Sequence, residues 1–137
     1  MEKRAIIWLR VGFIAGAVVD ALAVLPMVIP FGAKLFWGFS DFTGMYYFAQ
    51  GIGAPLMLGW TLLLLWAYKK PMERRFVSML TLIVVLGIAI GGVVSVCNGY
   101  VDAVKMIPTF IMWPIWITLF GYGFYISGKA LKTAGAR

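Results

Sequence analysis

Residues 6–29 read IIWLRVGFIAGAVVDALAVLPMVI, 24 residues interrupted by two charges, Arg10 and Asp20. A helix needs about 20 mainly apolar residues to cross the hydrocarbon core of a bilayer. The apolar residues come as one block, without the alternation that marks a barrel strand. Working outward, the pattern recurs over residues 44–68, 76–98 and 108–127. The chain is therefore expected to be an all-α integral membrane protein, a single four-transmembrane-helix bundle covering residues 1–137. Composition agrees: 63% of residues are hydrophobic, 12% are charged, and the mean hydropathy is +0.95. Soluble domains carry about 25% charged residues, so this chain has too few to cover a water-exposed surface.

Ala21-Leu22-Ala23 has the look of a signal-peptide cleavage site. Asp20 breaks the apolar region just before it, and a retained span is expected instead. The connection over residues 31–43 is rich in aromatics (Phe31, Phe36, Trp37, Phe39, Phe42), which favour the headgroup zone. A short interfacial helix is expected there, with Ser40 or Asp41 capping the second span. Asp102 and Lys105 stand three apart, within one helical turn. Pro108 suits the first position of the fourth helix.

Charge gives the orientation. Lys3, Arg4, Arg10, Lys69, Lys70, Arg74, Arg75, Lys129, Lys132 and Arg137 fall at one end of the predicted bundle, and only Lys34 and Lys105 at the other. Lys/Arg-rich ends stay in the cytoplasm, so an N-in/C-in arrangement is expected, in the cytoplasmic (inner) membrane of a prokaryote. The formal charge of +7 thus reads as topology, and no nucleic-acid partner is expected. A weak 2+2 parallel hairpin repeat can be drawn by aligning VGFIAGAVVD (11–20) with LGIAIGGVVS (86–95). Gly and Val are common in membrane helices, the second and fourth spans match poorly, and ordinary composition accounts for the match better.

Asp20 is the residue most in need of explanation. An ionised carboxylate well inside a span costs at least about 2.5 kcal/mol. Arg10 lies ten residues away, about 15 Å along a helix, too far to pair, and should reach back toward the headgroups. Asp20 is expected to face the bundle interior as the neutral acid. Gly12, Gly16 and Asp20 recur every four residues, as do Gly87, Gly91, Ser95 and Gly99. Small residues at this spacing let helices approach closely, so the first and third spans are expected to pack through Gly12/Gly16 and Gly87/Gly91. A dimer interface on one stripe is the equal alternative. Pro26, Pro55 and Pro114 are expected kinks. Counted along the spans, Pro55 and Pro114 come near the depth of Asp20, freeing the carbonyls of Gly51 and Phe110. Gln50, Ser95, Asn98 and the Tyr46–Tyr47 pair are further polar candidates, and Asp20, Gln50, Ser95 and Asn98 form the candidate ligand or ion set.

With no His and a single Cys, Cys97, the chain lacks imidazole ligands for haem, copper or zinc, and cannot form an internal disulfide. No metal or cofactor is expected. No nucleophile–base pair, membrane carboxylate pair or phosphate loop is visible, so the chain is not expected to be an enzyme. A non-catalytic accessory or assembly subunit of a larger membrane complex fits the small size. The alternative is a small oligomeric proton- or cation-coupled transporter or channel using Asp20. A lipid- or isoprenoid-handling enzyme has least support. Expected partners are membrane lipids and either further copies or other membrane subunits. A cavity at Asp20 lined by Gln50, Pro55 and Pro114 would favour transport; a filled bundle with a broad apolar outer face would favour the subunit.

The orientation is directly testable. A single Cys introduced between residues 69 and 75, with Cys97 replaced, should resist a membrane-impermeant thiol reagent in intact cells. Labelling from outside would reverse the topology.

Overall fold

The computed structural model describes residues 2–37 and 42–135, and these contain helices but no strand. The helices are α1 (Glu2–Val28), α2 (Pro30–Trp37), α3 (Gly44–Lys69), α4 (Phe76–Cys97) and α5 (Ala103–Gly135). All but α2 are long and apolar enough to cross a membrane.

Local chemistry explains the boundaries. Pro30 opens α2, a position where the missing N–H is no loss. The short helix folds back on the end of α1: Ala33 is fully buried, and a Cβ on Gly32 would lie 2.9 Å from the Cα of Pro26. The cap of α3 is Thr43, whose hydroxyl accepts from the Tyr46 N–H at 3.4 Å. Ser40 and Asp41, the expected caps, lie outside the described residues. Helix α4 ends as Gly99 turns left-handed at φ 71° and the Tyr100 N–H reaches back to the Ser95 carbonyl at 2.9 Å. Helix α5 starts five residues before the expected Pro108. The Asp102 carboxylate accepts from the Val104 N–H at 2.9 Å and satisfies an orphan donor of the first turn. Pro108 therefore stands inside the helix.

Helix α1 lies between α3 and α5, and α5 between α1 and α4; α4 barely touches α1 or α3. The neighbours run antiparallel. Trp8 meets Tyr122 edge to face at 5.2 Å, and Phe76 meets Phe124 at 5.7 Å, so the first turns of α1, the last turns of α5 and the 70–75 loop share one end. This basic end is dressed with aromatic rings. Arg74 stacks 3.5 Å over Trp66 and donates to its carbonyl. Arg75 stands between Phe76 and Phe124 at 5.0 and 5.1 Å, and Arg10 lies 5.6 Å over Tyr68. Glu73 pairs with Lys70 at 3.1 Å, a surface bridge of little energetic weight.

The buried core occupies the half of the bundle toward this end: Leu9, Phe13 and Ala17 of α1, Leu64 and Ala67 of α3, Val77 of α4 and Phe120 of α5. Here the structure departs from the expected pairing of glycine stripes. A Cβ on Gly12 would sit 3.5 Å from the Phe120 ring, and one on Gly16 would sit 2.9 Å from that ring and 3.1 Å from Leu64. The small face of α1 thus receives large side chains from α5 and α3, not a second small face from α4. Gly87 and Gly91 have nothing within 4 Å of a Cβ position. The physical reason is volume: two small faces gain contact only if backbones touch, whereas a ring set over glycines fills the space at once. Gly12 and its aligned counterpart Gly87 consequently sit in different surroundings. Ser78 completes the joint by donating to the Phe120 carbonyl at 2.8 Å, a buried bond from α4 to α5.

Gly16→Leu should destabilise the protein by about 1–3 kcal/mol through overpacking against Phe120 and Leu64. Gly91→Leu should leave the thermal midpoint of the monomer in detergent unchanged. Equal effects of the two substitutions would contradict this packing.

Candidate functional site

Just beyond Phe120, away from the basic end, α1, α4 and α5 part around a cavity of about 270 Å³. Each helix lines it with one face. Helix α1 gives Gly16 and Asp20, four apart; α4 gives Thr81, Val85 and Ile88, at i, i+4 and i+7. Helix α5 gives Thr109, Trp113, Trp116 and Phe120, again on one stripe, with Pro108 and Met112 beside them. Phe120 therefore ends the core and begins the cavity wall.

Trp113 is buried, with its ring set tightly over Gly92 of α4: a Cβ on Gly92 would lie 2.8 Å from Trp113 Cζ2 and would collide with the ring. Its other neighbour is Phe110, edge to face at 5.0 Å. Trp116 stacks on Phe120 with ring centroids 6.0 Å apart and planes 28° from parallel. The Thr81 hydroxyl has two partners. It donates to the Val77 carbonyl at 2.8 Å and accepts from Trp60 Nε1 at 3.3 Å, tying α3 to α4. Asp20 is half-buried. Among the described residues, neither its carboxyl nor the Thr109 hydroxyl has a hydrogen bond, and Asp20 has no ion pair. Asp20 is also the only titratable residue in the lining.

The other sequence candidates lie elsewhere. Gln50 and Pro55 line a separate groove between α1 and α3, beside Val24 and Met27. The Gln50 Oε1 is buried there and accepts no hydrogen bond among the described residues. Pro114 faces outward, along an exposed groove with Trp8 and Thr118. Ser95 and Asn98 turn back on α4, donating to the carbonyls of Gly91 and Val94, each at 2.8 Å. Pro26 is buried under α2. The cavity at Asp20 therefore differs from the one anticipated around Gln50, Pro55 and Pro114: α1, α4 and α5 line it, and Gln50 and Pro55 of α3 face a different groove.

Thr81, Thr109, Trp113 and Trp116 were not singled out in the sequence. Their signal was spacing: Thr109, Trp113, Trp116 and Phe120 share one helical stripe, and Thr81, Val85 and Ile88 another. Thr81→Val keeps the cavity wall but removes the bond to Trp60. It should lower stability by about 1 kcal/mol, read as a small fall in thermal midpoint. No change would show that this bond does not hold α3 to α4. No protein-family model matches the chain, and the searches of curated proteins and solved structures found no match.

Proposed function

We propose that the chain is a small cation transporter of the membrane, working as a homo-oligomer, with Asp20 as the group that exchanges a cation for a proton. The observation that carries this reading is the Asp20 carboxyl lining an open cavity with no donor or cation of the described protein against it. A purely structural acid inside a membrane finds a partner, because an unmet carboxyl there is expensive; one left facing a cavity is matched to something that enters. Cation and proton compete for the same carboxyl, so entry of one releases the other. The core around Phe120 seals the basic end of the cavity, and passage requires α5 to move from the glycine face of α1. The ten-to-two distribution of Lys and Arg supports an orientation with both termini in the cytoplasm, the cavity then lying toward the outer half of the bilayer.

A second reading, an accessory subunit of a membrane complex, draws on α4. Its Gly87 and Gly91 are open, and Ile83, Ile90 and Val94 are exposed, a face that another membrane helix could cover. Proteoliposomes carrying an imposed pH gradient decide between the two. Addition of a panel of inorganic and organic cations should dissipate the gradient with the wild type. Asp20→Asn should fall to the level of empty vesicles while keeping oligomer size and thermal midpoint. Dissipation by Asp20→Asn equal to wild type would remove the transport reading and leave the subunit.

A further inference from the structure

The lining of the Asp20 cavity also bears on which cation it takes. Resting on the reading of this cavity as a cation site, we propose that its ligand is a small lipophilic organic cation, a tertiary or quaternary ammonium bearing an apolar or aromatic group, and not a metal ion. The first ground is the shortage of oxygens. Calcium takes six to eight oxygen ligands, and magnesium demands a near-ideal octahedron. The lining side chains offer the Asp20 carboxyl, the Thr109 hydroxyl and the one lone pair left on Thr81 after its bonds to Val77 and Trp60, too few for either ion. Among the described residues, no three of His, Cys, Asp and Glu come together.

The second ground is what surrounds the carboxylate. Trp113, Trp116 and Phe120 lie on one stripe of α5 and all line the cavity. Aromatic faces attract cations, tryptophan most strongly, and the attraction grows once water is excluded. Rings beside a single carboxylate are the chemistry that holds an ammonium group whose charge is spread over alkyl substituents. Such a cation also sheds water more cheaply than a compact ion, because the cost of desolvation falls as ionic radius rises. Val85, Ile88 and Met112 supply an apolar wall for its hydrocarbon part, and Met adapts to differing shapes. Size sets the upper bound. The cavity of about 270 Å³ lies just under the roughly 300–1,000 Å³ of pockets for drug-sized ligands, so the occupant is a compact molecule.

The test compares benzyltrimethylammonium with neopentylbenzene, which has the same shape and no charge, by equilibrium dialysis against the purified full chain in lipid nanodiscs. The ammonium probe should bind saturably, and neopentylbenzene should compete at least about tenfold more weakly. Sodium and calcium should not displace the probe beyond the effect of ionic strength. Asp20→Asn and Trp116→Leu should each weaken the probe about tenfold or more, while Asp20→Glu retains binding. Equal binding of charged and uncharged probes, or displacement by micromolar calcium, would overturn the proposal. That comparison uses the unchanged protein and so decides the matter even if a variant fails to fold. Failure here separates from failure of the transport reading. Asp20-dependent dissipation of a pH gradient by sodium without probe binding leaves transport standing and removes the organic cation. Probe binding without any flux keeps the ligand class and removes transport.

Discussion

The bundle depends on one contact: the ring of Phe120 laid across Gly12 and Gly16. In lipid there is no hydrophobic drive to bring helices together, because the tails are as apolar as the side chains. Cohesion comes from close packing and a few polar bonds. Two glycines, one turn apart on α1, make the hollow that a phenylalanine of α5 fills, and Leu64 of α3 meets the same surface from the other side. Helix α1 thereby becomes the spine, with α3 and α5 on either hand. The Ser78 hydroxyl fastens α4 to α5 at the carbonyl of that same Phe120.

Because α5 occupies the small face of α1, α4 is held at a distance, and a cavity is the consequence. Filling ends at Phe120. Beyond it the three helices place Asp20, Thr81, Thr109 and two tryptophans around a shared space. Trp113 closes one wall of that space, its ring seated against Gly92, where a side chain on α4 would collide with it. Aromatic side chains thus share the lining with a single titratable group, the Asp20 carboxyl.

The opposite end is built on a different principle. Arg10, Arg74 and Arg75 each lie over an aromatic ring, Tyr68, Trp66 and Phe76 respectively. These contacts gather at the end where the first turns of α1, the last turns of α5 and the 70–75 loop meet. Packing is densest there, and the bundle opens toward the end bearing Lys34 and Lys105, where local motion costs least contact.

The sequence by itself determined how many helices are long and apolar enough to cross a membrane, and most of their limits. The second and third spans, read as 44–68 and 76–98, appear as α3 (Gly44–Lys69) and α4 (Phe76–Cys97). Hydropathy and length are local properties, and a continuous apolar run of this length satisfies its backbone in lipid as a helix, all of whose bonds lie within the segment, so such segments can be read without their neighbours. The start of α5 was missed because one side chain, Asp102, extended the helix past a proline that looks like its beginning. Asp20 was legible for the same local reason: a carboxyl in an apolar run is conspicuous anywhere. Its surroundings were not. A glycine stripe is compatible with any partner that fills it, and the tertiary structure chose Phe120 and Leu64 over Gly87 and Gly91. A stripe of Thr109, Trp113, Trp116 and Phe120 suits a lipid-facing surface as well as a cavity wall, since both are apolar. Only the mutual placement of α1, α4 and α5 turned that stripe inward to stand around Asp20.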